Sequence, residues 1–388
     1  MRGRDTMDER GAPSGGSGGA AGHHRVFDNE DVLGHVLSYL AFPRDLPSAE
    51  VSRAWRRAWH ATATGLLRPL RRVDGLSNTT HVAARDGGGV VVINRDCENQ
   101  TAICLLSARG DLETTVESPT SHDTSPGSVI LLGDGTAWVI HPAGGRLIRL
   151  RLDDGELLVD NDISDATYNA ALRHSRNYPT TLALADDALL VLRRISGVEK
   201  RCASTGNLLS TFAEGLVYPT DLAVAGDLIY ISERATHFNP FGVWRMSVLG
   251  LPFGEMPDGY VHVFSLAAET CLRKFGDETS SVRFKMPMGV AVADGRLYVA
   301  TSDWERGSQI QVLRLPEGEV LQIIPSPTTS DNPAIAEEYR SSVPHDPPLP
   351  WGDFVGGLCV DRGRLWAIGP EVSVTYVRIL VPYPQLLG

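Results

Sequence analysis

The sequence predicts a mainly β fold: a six-bladed β-propeller over residues 67–388, preceded by a small all-α helical domain over residues 25–66 and a disordered tail over residues 1–24. Three observations carry that expectation. Short β-rich runs repeat along most of the chain, helical periodicity is confined to one early stretch, and the first 24 residues are too rich in Gly and Ser to build a core. The 39 Gly and 24 Pro among 388 residues point the same way. Inside a helix each costs about 1–3 kcal/mol, which argues against long bundles and coiled coils.

The tail runs through Gly15-Gly16-Ser17-Gly18-Gly19 to His23-His24. The helical stretch follows. Val32, Leu33, Val36, Leu37 and Leu40 recur at i, i+1, i+4, i+5 and i+8, one face of a helix, and Asp28 with Asp31 has the pattern of an N-cap. Pro43 stops that helix. Val51, Trp55 and Trp59 then mark a second, with Arg53, Arg56 and Arg57 on its other faces. A unit of about 40 residues rarely folds well alone, so this one is expected to use a partner surface.

From about residue 80 the texture changes. Six copies of one pattern start at His81, Ser125, Tyr178, Tyr218, Met286 and Phe354, each reading strand, acidic or Gly turn, strand, loop, strand. Four short strands per unit of about 40–50 residues is the signature of a propeller. The longer intervals hold Gly/Pro-rich stretches near 236–260 and 325–350, read as loop insertions. The last copy ends after its third strand, and residues 66–76 are the segment placed to complete that blade and close the ring.

Net charge is −11, divided unevenly. Residues 1–75 hold 11 Arg and 9 acidic residues, leaving 25 basic and 38 acidic residues, or −13, for the rest. Nucleic-acid binding works by neutralising phosphates with Lys and Arg, so this balance argues against it and favours a basic protein partner. The five Cys lack the spacing of a disulfide framework or zinc ribbon and read as small buried hydrophobes. No apolar run approaches 18 residues and no apolar signal segment opens the chain, so a cytoplasmic or nuclear location without membrane contact is expected.

The stretch Val36-Leu37-Ser38-Tyr39-Leu40, then Asp45-Leu46, then Val51-Ser52-Arg53-Ala54-Trp55-Arg56 resembles an F-box over about 40 residues. The family's opening Leu-Pro pair is absent, and Val26-Phe27-Asp28 stands near its place. The resemblance implies binding to the Skp adaptor of cullin ubiquitin ligases, with Phe27, Val32, Val36, Leu37, Leu40, Leu46, Val51 and Trp55 as the adaptor-binding residues. The copy Pro287-Met288-Gly289-Val290-Ala291-Val292, continuing Gly295-Arg296-Leu297-Tyr298-Val299-Ala300, is similar to NHL-type propeller blades, with Thr301 where that pattern closes on Asp.

Together these resemblances imply the substrate-recognition subunit of a Skp–cullin–F-box ubiquitin ligase, with no chemistry of its own. Alternatives are a metal-dependent propeller hydrolase or lyase, and a scaffold acting outside ubiquitylation. The sequence lacks HExxH and P-loop motifs. Positions after the second strand of each copy, among them Asn94-Arg95-Asp96, His141, Arg193-Arg194, Glu233-Arg234 and Gly369, read as polar loop residues and do not form a ring of metal ligands. No catalytic residue, cofactor or metal is therefore expected. Exposed aromatic and charged loop residues are better suited to recognition. Phe238, Phe241, Trp304, Arg306 and Trp351 are the candidate substrate-binding residues.

Overall fold

Tight hairpins are the local unit. Ala293-Asp294-Gly295-Arg296 and Asp361-Arg362-Gly363-Arg364 each close a two-residue turn whose central residues both have positive φ, 50° and 68° in the first and 47° and 72° in the second. That geometry matches the right-handed twist of the strands it joins. The structure, a computed structural model, describes residues 67–73, 76, 79–95, 101–117, 127–141, 145–164, 177–234, 258–278, 280–303, 307–325, 357–371 and 374–382. All of them lie in one compact unit, Leu67–Pro382.

Five four-stranded antiparallel arrays are each drawn from one continuous stretch of chain. The first holds β2 (His81–Ala84), β3 (Val90–Arg95), β4 (Thr101–Leu106) and β5 (Leu112–Glu117). The second holds β6 (Ser128–Leu131), β7 (Thr136–His141), β8 (Arg146–Arg151) and β9 (Leu157–Asp162). The third holds β10 (Pro179–Ala185), β11 (Ala188–Arg193), β12 (Gly197–Cys202) and β13 (Leu208–Phe212). The fourth holds β14 (Pro219–Ala225), β15 (Leu228–Arg234), β16 (Asp258–Ser265) and β17 (Cys271–Phe275), with the short β18 (Phe284–Lys285) added against β16. The fifth holds β19 (Pro287–Ala293), β20 (Arg296–Asp303), β21 (Gly307–Arg314) and β22 (Glu319–Pro325).

One further sheet is composite. β23 (Leu358–Asp361), β24 (Arg364–Glu371) and β25 (Val374–Pro382) take their fourth strand, β1 (Leu67–Val73), from the other end of the unit. β1 pairs antiparallel with β25 from Leu67↔Pro382 to Val73↔Val377. The six repeat copies predicted six blades. This is corrected to five blades that a single stretch of chain completes, because the sixth copy supplies only three strands. The segment 66–76 does supply the missing strand.

The inner strands β2, β6, β10, β14, β19 and β23 adjoin in succession, and β23 adjoins β2. The architecture is a β-propeller. Its core is divided into wedges between neighbouring sheets, with Ile93, Ile103, Val139 and Ile148 between the first two. Val73, Val82, Val92, Trp366 and Ile368 fill the wedge between the composite sheet and the first. Val91 and Val92 are both fully buried, as are Leu189 and Leu190, because each face of a sheet meets a neighbour. Continuous apolar runs, rather than alternation, are therefore the sequence signal of these strands.

Two expectations change at their edges. Residues 258–260 begin β16 and Pro325 ends β22, so the insertions are narrower than read from composition. Cys104 is buried, but Cys202 and Cys359 are only half-buried and Cys271 is exposed, so the cysteines are not uniformly core residues. The tail and the F-box-like stretch lie outside the described residues.

Candidate functional site

In the five continuous arrays, first and second strands, and third and fourth, are joined by tight turns at one end. The links from second to third strand, and onward to the next sheet, leave from the opposite end, here called the connection end. Both sequence insertions belong to links at this end. Propeller loops of this kind carry recognition while the sheets hold position.

A β-bulge recurs where three inner strands start. The register shifts between Pro179 and Thr181, between Pro219 and Asp221, and between Pro287 and Gly289. Proline cannot donate to a ladder and so suits the first residue of a strand, and the bulge re-aims the side chains beside it. One position before the first core aliphatic residue, the six inner segments carry His81, Ser128, Thr181, Asp221, Gly289 and Gly357.

The side chains at this position clasp one sheet to the next. His81 Nε2 lies 3.0 Å from Ser128 Oγ, and its Nδ1 accepts from the Val129 N–H at 3.4 Å. Ser128 Oγ accepts from the Leu182 N–H at 3.0 Å, and the Thr181 hydroxyl donates to the Thr220 carbonyl at 3.5 Å. Asp221 Oδ2 accepts from the Val290 N–H at 2.9 Å, while Oδ1 accepts from Leu222 N–H at 2.9 Å. Gly289 and Gly357 have no side chain to continue the series.

Burial pushes the Asp221 carboxyl up to about 7, against the opposing hydrogen bonds from the Val290 and Leu222 N–H groups. Burial also lowers His81 to about 4. The folded state thus keeps the Asp221 proton up to about pH 7, whereas the unfolded chain loses it near 4, so this group's contribution to stability falls as pH rises through that window. His81 acts oppositely. The unfolded chain takes its proton near 6.5 and the folded state resists until about 4, so stability rises with pH there. Each slope reaches about 1.4 kcal/mol per pH unit, and between about pH 4.5 and 6.5 they offset. Urea midpoints measured across that range should climb with pH more steeply in Asp221→Asn than in wild type. They should climb less, or fall, in His81→Asn. Unchanged slopes in both variants would show that neither group titrates as described.

Above this ring, at the connection end, lies a ladder of alternating aromatic and cationic groups. The Arg194 guanidinium carbon is 4.0 Å from the Tyr218 ring centroid and 5.0 Å from that of Tyr178, and Arg194 Nη1 donates to the Tyr178 hydroxyl. The Arg234 guanidinium carbon is 5.5 Å from the Tyr218 centroid, and its Nη2 contacts Met288 Sδ from the next sheet. The repeat places these groups. Tyr178-Pro179 and Tyr218-Pro219 open two inner strands, and Arg194 and Arg234 follow the residues paired with those prolines.

The neighbouring charged side chains are partnered within the sheets. Arg193 is buried and pairs with Glu199, which also receives Arg201 Nε at 2.7 Å. In the next sheet the equivalent pair is Glu233 with His262 Nε2 at 2.5 Å, and Glu233 also accepts from the Val217 N–H. No carboxylate among the described residues pairs with Arg194 or Arg234, and Arg234 Nε is buried without a hydrogen-bond partner. Burial, and then the Arg194 charge, lower Arg234 to about 10.

At the turn end, a cleft of about 660 Å³ between the first two sheets is lined by Arg85, Asp86, Asp134, Arg151 and Asp153. Its charges are largely matched, Arg149 with Asp134 at 2.5 Å, Arg151 with Glu156 at 2.6 Å, and Arg85 with Glu113. The ladder is the better candidate site, because its cations lack that compensation.

The adaptor-binding residues Phe27, Val32, Val36, Leu37, Leu40, Leu46, Val51 and Trp55 lie outside the described residues. So do the substrate-binding candidates Phe238, Phe241, Trp304, Arg306 and Trp351. The positions read as polar loop residues are corrected. His141, Arg193, Glu233 and Thr301 are strand residues and buried, because each second strand extends to the level where the next sheet packs. Among the described residues no group of three or more His, Cys, Asp or Glu could hold a metal ion. Sequence reading missed the ladder, although the repeated Tyr-Pro pair was a visible signal for it.

No family profile matches the chain, and no curated protein matches it either. Solved structures do. The β-propeller domain of Cps50 (Swd1) from Myceliophteria thermophila is 11% identical, with 81% of this chain and 99% of that one covered and a TM-score of 0.47. A streptogramin B lyase is 12% identical, with 81% and 97% covered and a TM-score of 0.46. The WD40 domain of Neurospora crassa Pan2 is 12% identical, with 79% and 76% covered and a TM-score of 0.44. Likeness at this level assigns no activity, and the propeller stands on its own sheet order and closed inner ring.

Proposed function

We propose that the chain is the substrate-recognition subunit of a Skp–cullin–F-box ubiquitin ligase in the cytoplasm or nucleus. The F-box-like stretch would bind the Skp adaptor, and through it a cullin. The propeller would present a protein substrate at its connection end. The observation that carries this reading is the spacing from Val36-Leu37 through Asp45-Leu46 to Val51 and Trp55, placed directly before the propeller. An apolar face on a unit too small to stand alone suits an interface built on a few buried anchors.

Co-expression with a Skp adaptor tests it. The wild-type chain should co-purify with the adaptor, and Trp55→Ala combined with Leu37→Asp should abolish that without altering the melting of the propeller. A well-folded wild-type chain that does not retain the adaptor would refute the reading.

A further inference from the structure

The ladder is two guanidinium groups held against one aromatic ring, on a part of the chain whose net charge is −13. Like charges placed this close repel, and Arg194 does lower Arg234. Elsewhere at this end such cost is offset by a carboxylate, as Glu199 does for Arg193 and Arg201. Here no protein acid fills that role among the described residues.

The tyrosine rings hold the guanidinium planes, since each face of an aromatic ring favours a cation. Arginine so stacked keeps its N–H fork free for a planar or tetrahedral oxyanion, which it binds through two parallel hydrogen bonds. Arg194 uses Nη1 on Tyr178, leaving its Nε and Nη2 without a partner among the described residues. Arg194 and Arg234 are both half-buried, so a ligand there would meet partly desolvated charges, where pairing is stronger than at an open surface.

We infer that Tyr178, Arg194, Tyr218 and Arg234 form a binding site for an oxyanion of a peptide, a carboxylate or a phosphate. The site goes beyond the ligase reading and does not depend on it, because it rests on the propeller alone. It also reverses, locally, what net charge suggests. The acidic surface favours basic partners, while the axial mouth accepts an acidic group, so a suitable peptide carries both.

Direct binding to the full-length chain tests this without any adaptor. Three fluorescein-labelled ten-residue Gly/Ser peptides would be titrated in low salt, one carrying two Glu, one a phosphoserine and one two Lys. The Glu or phosphoserine peptide should bind, and the Lys peptide should bind at least about tenfold more weakly. Arg194→Gln should weaken the acidic peptides about tenfold, and Lys274→Gln, a charge change on β17, should leave them unchanged. If Arg194→Gln does not fold, Arg194→Lys serves. It keeps the charge, loses the planar fork, and should weaken binding severalfold. Tighter binding of phosphoserine identifies phosphate as the ligand, and equal binding identifies carboxylate. Equal binding of the Lys peptide, or equal losses in Arg194→Gln and Lys274→Gln, would overturn the site.

Discussion

A chain beginning at residue 76 should fail to close its propeller, whereas one beginning at Leu67 and the full-length chain should both melt cooperatively. The difference between them is β1. Without it, the ladder from Leu67↔Pro382 to Val73↔Val377 is lost and β25 becomes an open edge. Val73 also leaves the wedge it shares with Trp366 and Ile368. The backbone hydrogen bonds contribute about 1 kcal/mol each and the buried Val about 2 kcal/mol. A loss on the order of 5 kcal/mol rivals the whole stability of an ordinary domain. Near-UV circular dichroism and thermal melting of the two truncated chains would decide it, and matched melting curves would mean that β1 does not close the ring. An exposed β25 edge should also make the shorter chain prone to aggregation.

Replacing Trp138 by Ala should destabilise the propeller by about 3–5 kcal/mol. Trp138 is fully buried in the wedge between the second and third sheets, with Ile140, Leu182 and Leu189. Its indole N–H donates to the Ala203 carbonyl at 2.7 Å. The same turn of the third sheet is gripped twice more, by Arg149 Nη1 on the Ser204 carbonyl at 2.9 Å and by Asn161 Nδ2 on the Thr205 carbonyl at 3.0 Å. Gly206 completes the contact. At φ 73° it lets the backbone pass where an added Cβ would stand 2.8 Å from the Trp138 ring. Trp138→Phe keeps most of the apolar area but leaves the Ala203 carbonyl without its donor, and should cost about 1–2 kcal/mol. Urea denaturation of both variants reads the two contributions separately. A loss below about 1 kcal/mol for Trp138→Ala would show that the wedge does not depend on this side chain.

Much of the architecture was legible because a propeller repeats. Turn chemistry at Asp294-Gly295, apolar runs such as Leu189-Leu190-Val191-Leu192, and the Pro that opens four of the copies recur at matching positions. Even the missing strand could be assigned, since the last copy stops one strand short and residues 66–76 stand unused before the first. The candidate site was less legible. Arg194 and Arg234 read as two unremarkable polar residues after a second strand, and Tyr178 and Tyr218 as parts of a repeat. Their contact depends on the bulges at Thr180 and Thr220 and on how far apart neighbouring sheets stand. The axial clasp was hidden for the same reason. His81, Ser128, Thr181 and Asp221 differ in chemistry, so no residue pattern joins them until the ring places each beside the backbone of the next sheet.

The sequence by itself determined that short strands and tight turns repeat along most of the chain, and that the repeated units of about 40–50 residues pack as a propeller. These follow from local preferences and from a period that every copy shares. Tertiary structure alone decided which charges are neutralised and which are not. Arg193 and Arg194 are neighbours in the chain, yet one is buried against Glu199 and the other lies between two tyrosine rings with no acid paired to it among the described residues. That distinction arises from the packing of neighbouring sheets, which brings Tyr218 of one over Arg194 of the other and leaves the two cations without a paired carboxylate among the described residues.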